Sequence, residues 1–236
     1  MVRTKLRWAC CGFMLLAGAA WPAMASAQST PQTGTSSSAP AQTPPRLPPL
    51  VEKDPSDGRK SLNADLIAQK SRFPFKITDE NDHLIGMYRV LAYAPSIGQG
   101  IIDLGNRWSQ SRILTRRMQE IAILNTAAAD RASYVWYAHE HLSTGLFSKQ
   151  EIDAMRERRP LTLSDPREQF VNDMARSLAE HGDIDDSLYN RGVEQIGHEG
   201  IVELTWIIGV YRIDTLQLRV HRLSGAPEDA FAPAGK

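Results

Sequence analysis

The sequence predicts an all-α fold, a bundle of helices, for the 186 residues from Val51 to Lys236. Apolar side chains recur in this region every three or four residues, which is the spacing of one helix face. Helix-start signals precede several of these segments, and no segment shows the two-residue alternation of a half-buried strand. This length suffices for one domain with a substantial core, so we expect a single bundle.

Seven predicted helices follow one another along this domain. They run approximately from Thr78 to Ala92, Pro95 to Trp108, Thr115 to Ala129, Arg131 to Thr144, Ser148 to Met155, Asp165 to Gly182 and Gly200 to Leu223. Ser148 and Glu151 are spaced as a capping box, and Pro95 and Pro166 suit a first helical turn. The expected buried stripe of the second helix consists of Ile97, Ile101, Leu104 and Trp108.

The first 27 residues carry the features of a secretory signal peptide. Arg3, Lys5 and Arg7 precede an apolar stretch over residues 8–21, and small residues at 25–27 match a cleavage site. Residues 28–50 contain six prolines and one charge, a composition that favours a disordered linker. We therefore expect a periplasmic or secreted protein whose helical domain covers residues 51–236, with no membrane association after cleavage.

Charge and cysteine content exclude several partners and chemistries. The chain has 27 basic and 27 acidic side chains, and loss of the three basic residues of the signal peptide leaves a net charge of −3. A chain with this charge is not expected to bind nucleic acid or an anionic membrane surface. Both cysteines, Cys10 and Cys11, lie in the predicted signal peptide, so the mature chain has no thiol, disulfide or cysteine metal ligand.

A glutamate and a histidine on consecutive predicted helices are the strongest candidates for chemistry. Glu120 lies about 15 Å before the break near Asp130, and His139 lies about 13 Å after it. In a helical hairpin the two side chains would be at the same height. His139 shares a face with apolar neighbours, whereas His141 points about 200° away. A buried carboxylate beside a buried imidazole is either a satisfied structural pair or an acid–base site, and spacing alone leaves both open.

Several short motifs resemble the carboxymuconolactone decarboxylase family, which includes the alkyl hydroperoxidase D proteins. They are Arg117-Met118-Gln119-Glu120-Ile121, the string Tyr134-x-Trp136-x-x-His139, Gly145-Leu146 with Glu151-Ile152, and weaker matches at residues 46–50 and 202–212. The resemblance covers most of the mature domain. It implies an alkyl hydroperoxidase D-like helical bundle that forms a homo-oligomer, commonly a trimer or hexamer, with sites in the helical core or between subunits.

The chain departs from this family at one chemically decisive place. Peroxidatic members carry a Cys-x-x-Cys motif before the histidine, but the corresponding residues here are Ala132 and Val135. Thiol peroxidase chemistry is therefore excluded, since neither side chain can form a thiolate or a disulfide. The glutamate and histidine on which the decarboxylase-type members operate remain.

The leading hypothesis is a cofactor-independent, decarboxylase-type lyase that acts on a small lactone or aromatic-derived carboxylic acid. In this hypothesis His139 is the acid or base, Glu120 orients it, and Arg117 anchors the substrate carboxylate. Arg116 and Arg117 could both clamp a carboxylate, but Arg117 could instead neutralise Glu120, which lies one turn away. Tyr134 and Trp136 are candidates for the wall of a substrate pocket, although aromatic residues at helical spacing are more often core.

A second hypothesis is a non-enzymatic exported helical protein that binds an apolar or aromatic ligand. No metal or other cofactor is expected, because His139 and His141 diverge on a helix and lack a convergent third ligand. In the last helix, Glu203, Tyr211 and Arg212 are interpreted as a buried ion pair or a subunit contact. The apolar residues of that helix cover more than one face, which favours a homo-oligomer.

Overall fold

Helices form the framework of the described residues, which are 44–50, 57–227 and 229–232 of this computed structural model. The helices are α1 (Asp57–Ala68), α2 (Gly86–Tyr93), α3 (Pro95–Trp108), α4 (Arg116–Ala129), α5 (Ser133–Leu142), α6 (Lys149–Arg156), α7 (Pro166–His181) and α8 (Asp186–His221). A short 3-10 helix covers Lys70–Arg72, and one isolated bridge pairs Thr78 with Leu84. The predicted all-α fold is confirmed. The predicted signal peptide lies outside the described residues.

Helix α4 is the central helix of the bundle. It begins where the sequence predicts, with the hydroxyl of Thr115 accepting a hydrogen bond from the backbone N–H of Met118 at 3.2 Å. Every residue from Met118 to Ala128 is buried, and the helix packs against α5, α6, α7 and α8. A helix surrounded on all sides needs no polar face, so a charged residue within it requires a specific explanation.

The capping signals around α6 and α7 are confirmed. The hydroxyl of Ser148 accepts from the backbone of Glu151, while the Glu151 carboxylate accepts from the backbone N–H of Ser148 at 2.8 Å. Pro166 occupies the first turn of α7, and Gly182 closes that helix at φ 74°. Glycine adopts this left-handed conformation without steric cost. These local signals fix the position of α6 and α7 along the chain.

The start of α2 differs from the prediction. Thr78 does not cap the helix, which begins eight residues later at Gly86. The Asp79 carboxylate instead accepts hydrogen bonds from the backbone N–H groups of Asn81 and His83, both at 2.9 Å. Side-chain bonds of this kind stabilise a turn in competition with a helix. The result is that α2 is short and enters the bundle beside Tyr134, whose ring lies where a Cβ on Gly86 would be.

The stripe expected on α3 is wrong in detail. Ile97 is 68% exposed, and the buried residues of α3 are Gly98 and Ile102. Gly98 approaches α2 so closely that an added Cβ would lie 2.3 Å from the carbonyl oxygen of Leu91. The packing of α3 against α2 therefore depends on the missing side chain of Gly98 rather than on a stripe of isoleucines.

The last helix is longer than predicted and is interrupted. It starts at Asp186, capped by Asp185, and contains a break at Gly197, where φ is 70° and ψ is 172°. Residues 186–196 were not predicted as helical, because they carry few of the apolar residues that a periodic stripe requires. None of the helices in the described residues has the length and hydropathy needed to cross a bilayer.

The chain joins the bundle earlier than the sequence indicates. The compact unit that contains the bundle begins at Pro45, not at Val51. The backbone N–H of Arg46 donates to the carbonyl of His221 at 2.9 Å, and the guanidinium of Arg89 donates to the carbonyl of Leu47 at 3.2 Å. Residues at the end of the predicted linker are therefore held by hydrogen bonds that their composition does not reveal.

Two faces of α8 have opposite characters. The face toward the bundle buries apolar side chains together with Asp214. The opposite face, here called the outer face of α8, exposes large apolar side chains. They are Val202, Trp206, Ile213, Leu216 and Val220. Trp206 is 61% exposed, so the part of the chain that the structure describes leaves the outer face uncovered.

Candidate active site

A carboxylate and an imidazole meet in the core of the bundle. Glu120 on α4 is fully buried, and His139 on α5 is 8% exposed. Their Oε2 and Nδ1 atoms are 2.8 Å apart. The hairpin of α4 and α5 therefore brings together the two residues that the sequence places at equal height. His141, by contrast, is exposed and bonds the carbonyl of Tyr137.

The hydrogen bond between these two residues determines what His139 can offer. An ionised carboxylate only accepts hydrogen bonds, so Nδ1 of His139 carries the shared hydrogen. The other ring nitrogen, Nε2, makes no hydrogen bond with the described residues. In a neutral ring Nε2 presents a lone pair, and in a charged ring it presents a proton. Its chemistry is that of a general base or a general acid.

Arg116 compensates the buried charge of Glu120. A guanidinium nitrogen of Arg116 lies 2.6 Å from Oε1 of Glu120, although the Arg116 side chain is 46% exposed. The contact is an ion pair without hydrogen-bond geometry, since Oε1 has no hydrogen-bond partner among the described residues. A buried carboxylate is costly unless it is paired. Glu120 thus contacts the half-exposed Arg116 with one carboxylate oxygen and the buried His139 with the other.

Tyr211 of α8 covers the imidazole. Its ring meets that of His139 edge to face, with centroids 4.8 Å apart and planes at 88°. Trp108 contacts Tyr211 as well, at 6.2 Å between centroids. Burial raises the pKa of Tyr211 well above its ordinary value, and the negative charges of Glu120 and Asp214 raise it further. Both carboxylates therefore act on this phenol.

Asp214 and Tyr88 complete a group that we call the polar cluster: Tyr88, Glu120, His139, Tyr211 and Asp214. Asp214 is buried, its Oδ1 has no hydrogen-bond partner among the described residues, and burial raises the pKa of its carboxyl to about 7. Burial and the charge of Asp214 raise the pKa of Tyr88, on α2, above the ordinary value. Neither phenol, of Tyr88 or Tyr211, donates a hydrogen bond to a described residue.

Arg117 lies elsewhere, which corrects its expected contact with Glu120. Its Nε donates to Glu168 at 2.9 Å, and another guanidinium nitrogen donates to Glu151 at 2.5 Å. It also donates to the carbonyl of Leu146 and lies over the ring of Phe147, 4.5 Å from the centroid. Because these contacts bind α4 to α6 and α7, the guanidinium is committed to structure, and Arg116 takes the place beside Glu120.

The two aromatic residues proposed for a pocket wall are both engaged in packing. Trp136 is fully buried, donates to a carboxylate oxygen of Glu140 at 3.1 Å and packs edge-on against Phe231. The hydroxyl of Tyr134 donates to the carbonyl of Lys76 at 3.1 Å. The structure therefore places both residues in the core, and burial raises the pKa of Tyr134 well above its ordinary value.

The polar residues of the last helix divide in a way that the sequence did not indicate. Glu203 accepts from the hydroxyl of Ser111 at 2.5 Å, and Arg212 donates to the carbonyl of Ala179 at 3.2 Å. The ion pair, one of the two interpretations of these residues, is therefore not found among the described residues, and the subunit contact stays a prediction. Tyr211 and Asp214, three residues apart, share the inner face of α8 instead. The three-residue spacing of Tyr211 and Asp214 is the sequence signal that could have indicated this site. For Tyr88 the sequence shows only that it belongs to an apolar stripe.

Comparisons with known proteins find similarity of fold without close similarity of sequence. No family model and no curated protein matches the chain. Among solved structures, a variant of the debrominase Bmp8 in complex with 2,3,4-tribromopyrrole matches with a TM-score of 0.59 and 13% identity, over 79% of this chain and 94% of that chain. The apo form of Bmp8 matches with a TM-score of 0.58 and 11% identity, over 78% and 95% of the two chains. The chain thus has an alkyl hydroperoxidase D-like all-α fold, and its relation to these structures is a distant relation of fold.

Proposed function

We propose that this protein is a cofactor-independent lyase of the carboxymuconolactone decarboxylase type, which acts on a small lactone or aromatic-derived carboxylic acid. The observation that carries the proposal is the buried pair of Glu120 and His139, 2.8 Å apart, in which Nε2 of the imidazole makes no hydrogen bond with a described residue. Glu120 fixes the ring through Nδ1, and Nε2, which is not among the fully buried unpaired atoms of the described residues, is left accessible to exchange a proton with a ligand. The resemblance of the sequence motifs and the shared fold agree with this class of enzyme.

The reaction needs one electron acceptor and one proton. The bond from the substrate carbon to its carboxylate breaks, carbon dioxide leaves, and the electron pair moves onto an adjacent carbonyl to form an enolate. Charged His139 then delivers the proton on Nε2 to the carbon, and solvent returns a proton to the ring. Glu120 holds the imidazole in the required orientation. Proton transfer by a positioned side chain contributes about 10²–10⁴ in rate.

The cation available to a substrate carboxylate is Arg116. Its side chain is half exposed and reaches the pair of Glu120 and His139 from the surface. A guanidinium has five N–H donors, so contact with Glu120 leaves donors for a second carboxylate. We therefore transfer to Arg116 the anchoring role that the sequence suggested for Arg117.

A test compares two histidines of the same helix. Purified protein is screened for carbon dioxide release from small lactone and aromatic carboxylic acids, and His139→Ala and His141→Ala are assayed on the active compound. His139→Ala should lose turnover while its thermal unfolding stays cooperative, and His141→Ala should keep both, since His141 is exposed. Unchanged turnover in His139→Ala would reject the mechanism. Binding of these acids without turnover by the unmodified protein would favour the ligand-binding alternative.

We also propose that the protein is exported and assembles from several copies. Export rests on the signal-peptide features, and N-terminal sequencing should find a mature chain that starts near Gln28. Assembly rests on the outer face of α8, whose apolar residues are spaced by four, seven, three and four residues, as in a helix-pairing seam. The occupant we propose is the same face of a second copy. Light scattering should report more than one chain, and Trp206→Glu should reduce that mass; one chain per particle at micromolar concentration would contradict assembly.

A further inference from the structure

Three groups of the polar cluster have no role in the proton transfer described above. They are Tyr88, Tyr211 and Asp214, contributed by α2 and by the inner face of α8. Asp214 is buried with an unpaired Oδ1, and the two phenol hydroxyls make no hydrogen bond with a described residue. Buried polar groups without partners are rare in native proteins, because each costs free energy. The buried, unpaired Oδ1 of Asp214, together with two phenols that donate to no described residue, indicates a ligand that forms hydrogen bonds with all three groups.

The charges around these groups limit what that ligand can be. Asp214 acts electrostatically on Tyr88 of α2 and on Tyr211 of α8, and Glu120 and Arg116 also act on Tyr211. Arg116 balances Glu120, so no positive charge is left to neutralise Asp214 within this set. Burial raises the pKa of Asp214 to about 7, and below that pH the group is an O–H donor. The three side chains then offer three neutral O–H donors.

We propose that Tyr88, Tyr211 and Asp214 form a subsite that binds the oxygen of an enolate or phenolate, beside the imidazole of His139. Neutral O–H donors in a site shielded from water stabilise a developing oxygen anion without the repulsion that a carboxylate would cause. The ring of Tyr211 touches the imidazole, which places this subsite next to the proton-transferring nitrogen.

This subsite adds a role to the proposed function. Only the identity of its natural ligand rests on that proposed function. In the decarboxylation, the electron pair released with carbon dioxide becomes the lone pair of an enolate oxygen. That oxygen would accept hydrogen bonds from Asp214 and the two tyrosines while His139 protonates the carbon. The substrate class is thereby narrowed to acids that carry a carbonyl conjugated with the carbon that loses its carboxylate.

The test uses pentafluorophenol as the probe, because it is ionised around neutral pH and its binding can be followed by fluorine NMR. The unmodified protein should bind the phenolate more tightly at pH 6.5 than at pH 8.5. Above pH 7 the affinity should fall by about tenfold per pH unit, as Asp214 loses its proton and repels the probe. In Asp214→Asn, which keeps the shape but cannot ionise, that fall should be absent.

Control variants separate this subsite from the catalytic proposal. Tyr211→Phe should weaken binding of the probe at every pH, whereas Asp130→Asn should keep the full pH profile because its carboxylate bonds Thr215 instead. A His139→Gln variant that binds the probe but lacks turnover would support both proposals. An Asp214→Asn variant with the same fall in affinity as the unmodified protein, or no binding of the probe to the unmodified protein, would overturn the subsite whether or not turnover is found.

Discussion

Two neighbouring arginines at the start of α4 belong to networks with opposite properties. Arg117 joins α4 to α6 and α7, and its guanidinium is matched by Glu151, Glu168 and a carbonyl oxygen. Arg116, one residue earlier, leads to the polar cluster, in which Oε1 of Glu120 and Oδ1 of Asp214 are buried without hydrogen-bond partners. Among the described residues, every charged group of the first network has a partner, and the second network has two carboxylate oxygens that lack a hydrogen bond.

The difference teaches how to separate structural from functional polar groups in one core. A complete network contributes to stability. Removal of one member leaves its partner buried with an uncompensated charge, which lowers the free energy of unfolding. An incomplete network lowers stability and persists where a site needs it. Substitutions in the two networks should therefore change the free energy of unfolding in opposite directions.

The largest expected effect is a gain in stability from Asp214→Asn. The pKa of Asp214 is raised from 3.8 to about 7 in the folded protein. Between these values the unfolded chain releases a proton that the folded chain retains, so the stability falls as pH rises and stays low above pH 7. Removal of the carboxyl should raise the free energy of unfolding at pH 8 by at most about 4 kcal/mol and leave it unchanged near pH 3. Urea unfolding at the two pH values measures this, and equal stability at pH 8 would contradict it.

The next effect has the opposite sign and concerns the complete network. Arg117→Met leaves Glu151 and Glu168 without their common partner, and should lower the free energy of unfolding by about 2–3 kcal/mol. Arg158→Met is the matched control, because its pair with Glu180 is exposed and should be worth less than about 1 kcal/mol. Chemical denaturation distinguishes the two. Equal losses would show that the Arg117 network has no special role in stability.

The smallest effect sharpens the role of Glu120 in the incomplete network. Glu120→Gln keeps the size of the side chain but weakens its hold on His139, and should lower the turnover rate about 10-fold to 100-fold. Glu140→Gln on α5, whose carboxylate serves Trp136, should leave the rate unchanged. Steady-state kinetics of the two variants, measured at equal concentrations of folded protein, tests this prediction. An equal loss in both variants would indicate a general effect of the substitutions on packing.

The sequence predicts those features that local signals determine. The capping box at Ser148 and the meeting of Glu120 with His139 follow from spacing along one or two helices. The choice between Arg116 and Arg117 does not, because it depends on Glu168, which is distant in sequence. Tyr88 and Asp214 come together only when α2 and α8 pack, and the turn around Asp79 that positions α2 competes with a helical pattern.

The most direct test of the central claim is an NMR measurement on the ring nitrogens of His139. The account predicts that the neutral ring carries its hydrogen on Nδ1, directed at Glu120, and that the Nε2 resonance shifts when pentafluorophenol binds. The ring of His141, exposed on the other face of α5, should show no such shift. A hydrogen on Nε2 in the neutral ring, or an Nε2 resonance that does not respond to bound probe, would contradict the claim that His139 faces the ligand.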